Sequence, residues 1–359
     1  FTLSVILIVS VVVVYKQVEY IQSKNLGYSR DNIITFGKEG RLQEGYEAFL
    51  QEVKQLPGVV NASNTWGNLT GADNITDGLK WEGKEPGQHV TFWDLQVNYD
   101  FIETVGIQVT EGRAFSRQFP TDSTKIIFTE TGIRAMGLKD PVGKTIQLWG
   151  EDRQIIGVVK DFHFESLYEP LKPCFLMLMP RADNMLVKIK AGQEKETLER
   201  LAAFYRKFNG GIPFEYKFLD QDYQALYVAE QRVSVLSRYF AGIAVLISCL
   251  GLLGLAAFTA ERRRKEIGIR KVLGSTEAGI VYLLSNDFTK LVGVAIGLAL
   301  PLSYLLASSW LKGFAYKITL EPWYFLLAGL LALATALLTV SLQAFKAARI
   351  NPVQCLKDE

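Results

Sequence analysis

Hydrophobic positions in this chain gather at its two ends. Four runs carry no charged residue: "FTLSVILIVSVVVVY" (1–15), "YFAGIAVLISCLGLLGLAAFTA" (239–260), "LVGVAIGLALPLSYLLASSWL" (291–311) and "WYFLLAGLLALATALLTVSLQAF" (323–345). Crossing a hydrocarbon core takes about 20 residues. The last three runs are long enough, and three such runs close together argue against buried helices of a soluble protein. The first is short and its opening residue is not Met, so we read it as a truncated span. A signal peptide is its rival, but no basic stretch precedes the run and no small-residue cleavage site precedes Lys16. The expected membrane helices are therefore 1–15, 239–260, about 280–311 and 323–345.

The middle alternates differently. Strand-like runs, "DNIITF" (31–36), "VVNASNTW" (59–66), "HVTFWDLQV" (89–97) and "IQVTEGRAF" (107–115), are interleaved with helical spacing at 42–56 and around "DFIETVG". A later unit reads strand–helix–strand: 184–190, 194–208 and "PFEYKFL" (213–219). Between these sets the chain is richer in strands, with "KIIFT", "KTIQLW", "RQIIGVVKDF" and "CFLMLM". The pattern predicts an α+β domain over 16–238, with a β-rich insertion at about 116–183. A breaker-free stretch, 221–238, predicts a stalk helix running into the second span. The fold class is an α-helical membrane protein with four transmembrane helices and a large α+β extracytoplasmic domain.

Charge orients this arrangement. Residues 16–238 hold 27 Lys+Arg and 30 Asp+Glu, and the 359-residue chain is only +2 overall, which leaves no footprint for nucleic acid. The loop "ERRRKEIGIRKVLGST" (261–276) concentrates six basic residues between two spans, and the tail adds Lys346, Arg349 and Lys357. Basic residues accumulate on the cytoplasmic side, so this loop and the tail (346–359) face inward. The short 312–322 loop, flanked by Trp310, Trp323 and Tyr324, faces outward, as does 16–238. Gly293/Gly297 and Ala332/Ala336 are spaced for close helix approach, and Pro301 inside the third span removes a backbone donor and should kink the helix.

Catalytic chemistry is hard to find. "GLKDPVGKT" (137–145) puts five residues between Gly137 and Gly143, where a phosphate loop needs four; it reads as a turn before a strand at Thr145. His89 and His163 have no ligand neighbours at metal spacing, and alternation along a strand would put Asp161 and His163 on one face without a nucleophile. Cys174, Cys249 and Cys355 fall in three environments and read as unpaired thiols. No catalytic, cofactor-binding or metal residues are assigned.

From Lys265 the loop has helical spacing. Ile269, Val272, Leu273 and Thr276 fall on one face, while Arg262, Arg263, Glu266 and Arg270 fall opposite. On charge alone, such a helix is equally an anchor on anionic lipid or a docking element.

"ERRRKEIGIRKVLGST" resembles the cytoplasmic motif of MacB/FtsX-type ABC transporter permeases. "GVVKDFHFESLYEPLKP" (157–173) is similar to extracytoplasmic segments of Bacteroidetes-type members, and "AFKAARINPVQCLKDE" to the family's ending. The resemblance implies a long span, a periplasmic porter-like module with an inserted β-rich module, then three spans. It implies a separate cytoplasmic ABC ATPase that binds the ATP, and a second permease half or a homodimer partner, the chain itself resembling the C-terminal half of a tandem permease. The coupling residues it marks are Glu266, Ile267, Gly268, Ile269, Arg270, Lys271, Val272, Leu273 and Gly274. It implies mechanotransmission: ATP hydrolysis moving the periplasmic domain to export peptide, drug or lipoprotein. The rival functions are a membrane-anchored sensor or regulator of cell-wall hydrolases, and a periplasmic enzyme; short cytoplasmic loops argue against the first and the missing catalytic cluster against the second.

Overall fold

The computed structural model describes residues 1–67, 69, 74–163, 167 and 169–349, and divides into two compact units, Ser23–Tyr227 and Phe1–Gln22 with Val228 onward. Cys355 and most of the tail lie outside the described residues.

After α1 (Thr2–Ser23), the outer unit begins with β1 (Ile33–Gly37), α2 (Leu42–Val53), β2 (Val59–Thr65), β3 (Ile75–Thr76), β4 (Leu79–Lys80), β5 (Phe92–Val97), α3 (Phe101–Val105) and β6 (Val109–Gly112). It continues with β7 (Lys125–Thr129), α4 (Glu130–Met136), β8 (Thr145–Leu148), β9 (Glu151–Val159), β10 (Cys174–Leu178), β11 (Asn184–Ile189), α5 (Glu194–Phe208), β12 (Lys217–Phe218) and α6 (Leu219–Ala225). The strands form one sheet in the order β12-β1-β11-β2-β5-β10-β7-β9-β8-β4, with β3 on β5 and β6 on β9. Pairing is antiparallel except β5/β10 and β7/β9.

Two cores flank this sheet's central seam. In α2, Leu42, Tyr46, Phe49, Leu50 and Val53 make one helical stripe and pack with Leu201 and Tyr205 of α5 over Ile34, Phe36, Ala62, Met185 and Val187. The second core gathers Phe92, Ile126, Phe128, Ile155 and Phe175 under Ile133 and Met136 of α4. Between them β2 meets β5 through the single pair Thr65–Val97.

The segment 116–183 supplies the β-rich half of the sheet. Its strands β7–β10 join the same sheet as the rest, and they recruit β4, β5 and β6 from upstream. The reason is packing: the Phe92 ring lies 5.9 Å from Phe128 and 6.4 Å from Phe175, so the aromatic core needs β5 to close. The strand expected at "PFEYKFL" is corrected. Only Lys217–Phe218 pairs as strand, because Phe214 turns into the first core, 5.0 Å from the rings of both Phe36 and Tyr205.

The continuous stalk over 221–238 is broken. α6 ends at Ala225, and the amides of Leu226 and Tyr227 bond three residues back, to Tyr223 and Gln224, a tightened turn rather than a continuing α-helix. Tyr227 is buried in the outer unit, where its hydroxyl accepts the Leu167 amide at 2.7 Å and lies 3.2 Å from the Tyr223 hydroxyl. A helix interior gives no such anchor, so local propensity loses to tertiary bonding.

The membrane unit comprises α1, α7 (Val228–Arg262), α8 (Arg264–Val272), α9 (Glu277–Leu311) and α10 (Pro322–Ala348). Among the described residues, α1, α7, α9 and α10 are long and apolar enough to cross a membrane. At 1.5 Å per residue the 35-residue α7 is about 52 Å long, well beyond a hydrocarbon core of about 30 Å. Helix α1 continues past the apolar run at 1–15 to Ser23, carrying Gln17 into the protein. There Gln17 donates to the Tyr316 carbonyl (2.8 Å) and accepts the Ile318 amide (2.9 Å), pinning the outer loop between α9 and α10. Ser4 links α1 to α7 through the Ser248 hydroxyl and the Ala244 carbonyl. Ala332 and Ala336 pack inward, whereas Gly293 and Gly297 lie on an open face.

Candidate coupling site between the second and third spans

Helix α7 stops at Arg262, and Arg263 leaves helical geometry (φ −96°, ψ 13°) before α8 begins. At the far end Gly274 has φ +93°. Its amide donates to the Lys271 carbonyl (3.1 Å) and the Ser275 amide to the Arg270 carbonyl (2.9 Å). This paired closure needs a left-handed residue, which glycine adopts without strain. Thr276 then caps α9, its hydroxyl accepting the Gly279 amide at 3.2 Å. "LGST" thus encodes one helix stop and one helix start, and only Gly274 and Ser275 separate the stop from the cap.

All nine marked residues lie on α8 or its C-terminal cap, but they divide into two faces. Ile267, 5 % exposed, enters a cluster of Ala260 from α7, Ile280 and Leu284 from α9, and Ala344 and Ala347 from α10. Gly268 is buried beside it. Ile269, Val272 and Leu273 are 52 %, 66 % and 80 % exposed. Ion pairs brace the element: Arg263–Asp287 at 3.2 Å to α9, Arg264–Glu261 at 3.1 Å to α7, and Glu266–Arg270 at 2.9 Å within α8.

Sequence reasoning found the outer apolar face and missed the inner one. Ile267 and Ile269 are two positions apart, hence about 200° around a helix, and the sequence offers both faces without ranking them. Thr276 does not extend the outer face; it is the cap of α9. Arg262 closes α7 and Arg263 is the junction, so neither shares a face of α8 with Glu266 and Arg270.

The outer unit's Asp161 and His163 lie beyond the end of β9, so strand alternation does not apply to them. Asp161 accepts the amide and hydroxyl of Thr131, both at 2.7 Å, and Arg134 at 2.6 Å, holding the start of α4. His163 is half-buried, and burial together with the Lys24 ammonium holds its imidazole below the usual range. Cys174 is buried in β10 and Cys249 half-buried in α7, both free.

Two family models cover these two units. The MacB-like periplasmic core domain matches residues 2–203, and the FtsX-like permease C-terminal domain matches residues 238–352. The chain belongs to the MacB/FtsX family of ABC transporter permeases. As a family member it is a multi-pass protein of the bacterial inner membrane, with the segment between its first two spans in the periplasm and α8 on the cytoplasmic side.

Among relatives, the macrolide export ATP-binding/permease protein MacB of Chromobacterium violaceum is 25 % identical over 278 residues, covering 74 % of this chain and 43 % of that protein. The ABC transporter permease YknZ of Bacillus subtilis is 22 % identical over 286 residues, covering 73 % of this chain and 69 % of that one. The chain thus spans less than half of this MacB relative. The crystal structure of the periplasmic region of MacB from Actinobacillus actinomycetemcomitans aligns with a TM-score of 0.40 at 14 % identity, covering 58 % of this chain and 98 % of that one.

Proposed function

We propose that this MacB/FtsX permease transmits the nucleotide cycle of a separate cytoplasmic ABC ATPase to its periplasmic unit, through α8. The carrying observation is the two-faced burial of α8. Ile267 locks the helix to three membrane helices, while Ile269, Val272 and Leu273 present an exposed apolar face. A helix that is fixed on one side and apolar on the other fits the mode in which an amphipathic helix lies in a partner's groove. Because α8 joins α9 through the Gly274–Ser275 turn, displacement of α8 passes directly into the third span and, through Arg263, into α7.

The work so delivered is export from the periplasm of peptide, drug or lipoprotein cargo. Relatives named for macrolide and syringafactin export support that class. The chain acts paired with a second permease half or a second copy, and ATP is bound by the partner ATPase.

Co-purification with the ATPase tests this reading. Val272→Asp/Leu273→Asp alters side chains that the fold leaves exposed, so helix content should be unchanged while association falls at least tenfold and stimulated ATP turnover is lost. Glu266→Arg and Arg270→Glu should each weaken association. Normal binding and turnover in the Val272/Leu273 double variant would defeat the assignment.

A further inference from the structure

We propose that the groove at the cytoplasmic ends of α7 and α10 binds the headgroup of one anionic phospholipid. The groove holds about 200 Å³ and is lined by Ala257, Ala260 and Glu261 of α7, Arg264 and Ile267 of α8, and Gln343, Lys346 and Ala347 of α10. Two cations and one carboxylate make the lining net positive. Glu261 pairs with Arg264 at 3.1 Å, which holds that guanidinium at the rim. Arg264 also opens α8, whose N-terminal end meets the C-terminal ends of α7 and α10 at this place, so the net positive charge rests on the Arg264 and Lys346 side chains. The alanines form a floor that reaches no farther than Cβ, leaving room for a phosphodiester, and Gln343 adds an amide donor.

What favours a lipid over a free anion is the exposed apolar face of α7 that leads away from the groove. Leu250, Gly254, Ala257 and Glu261 recur at spacings that put them on one helix face. Gly254 is exposed, and a Cβ built there would meet nothing within 4 Å. Leu250 beyond it is exposed and apolar. A headgroup seated at Arg264 and Lys346 therefore has a smooth apolar track for its acyl chain, leading from the interface toward the bilayer interior. Basic pockets between helices on the cytoplasmic side are suited to such headgroups, and a soluble anion or an acidic protein segment has no use for the track. The bound lipid bridges α8 to α10, so leaflet composition sets how firmly α8 is held. This assignment does not depend on which protein docks on the outer face of α8.

Native mass spectrometry of the full chain in mild detergent, titrated with phosphatidylglycerol, tests it. The wild-type chain should retain one phosphatidylglycerol tightly. Arg264→Gln/Lys346→Gln should weaken retention roughly 25-fold, at about fivefold per cation. Arg262→Gln/Lys265→Gln removes the same charge from exposed positions outside the groove and should change retention less than twofold. Gly254→Leu keeps every charge and fills the track, and it should weaken retention comparably to the groove variant. Equal losses in the two charge variants, unchanged retention in Gly254→Leu, equal retention of phosphatidylethanolamine, or displacement by millimolar inorganic phosphate would each overturn the proposal.

Discussion

Replacing Ile267 by Ala isolates the inner face of α8. The side chain is 5 % exposed and packs on Ala260, Ile280, Leu284, Ala344 and Ala347. Truncating a buried Ile typically costs 2–5 kcal/mol, depending on how far the site can relax. Here the low end applies, about 2 kcal/mol, because Ile267 also borders the open groove beneath α7 and α10, and the lost volume need not remain an empty cavity. The helix cannot absorb that loss alone, since nine residues are too few for a stable isolated helix in water. Undocking and unwinding should therefore coincide. Hydrogen exchange of the chain in nanodiscs, followed in peptides covering 264–273, should show protection falling about 30-fold, the factor that corresponds to 2 kcal/mol. Ile269→Ala, on the exposed face, should change exchange less than threefold while reducing association with the ATPase. The reasoning fails if the two variants perturb exchange equally, for then the helix does not have one fixed and one open face.

Two further outcomes concern the periplasmic unit and the outer loop. Asp122 is fully buried and accepts from the two terminal guanidinium nitrogens of Arg113 at 2.7 Å and from the Ser116 amide at 2.9 Å. Burial would raise this carboxyl, but the Arg113 and Ser116 bonds outweigh it and hold it below the usual range. Its contribution to stability is therefore present above the unfolded carboxylate range and is lost as pH falls through the lowered native value. Asp122→Ala should cost about 2–3 kcal/mol at neutral pH, less than a fully buried pair because Arg113 remains partly wet. Thermal denaturation should show that cost shrinking toward pH 3, and a pH-independent difference would contradict it. Gln17→Leu keeps the side-chain bulk but strips the Tyr316 carbonyl and Ile318 amide of their partners. It should cost about 1–3 kcal/mol and speed exchange and proteolysis of the 312–321 loop, leaving α8 unchanged.

Much of this protein was legible in its sequence because the governing constraints are local and one-dimensional. Uncharged length forced the spans, since a bilayer supplies no partners for backbone polar groups. The arginine-rich loop set sidedness, and the stripe Leu42–Tyr46–Phe49–Val53 set α2. "LGST" carried a helix stop and a helix start in four letters. Even the apolar face Ile269–Val272–Leu273 could be read from spacing.

What the tertiary structure decided were choices among equivalent local options. Strand pairing was one: β5 keeps β3 and a single pair to β2 but gives most of its length to the distant β10, because Phe92 completes an aromatic core with Phe128 and Phe175. The stalk was another, since 221–238 favours helix throughout, and the bonds of the buried Tyr227 to Leu167 and Tyr223 hold the turn that breaks it. In α8, Ile267 and Ile269 offered two apolar faces, and Ala260, Ile280 and Ala344 chose Ile267. Periodicity reports which residues share a face, but which face is buried depends on side chains brought from other parts of the chain, and that information exists only once the helices have packed.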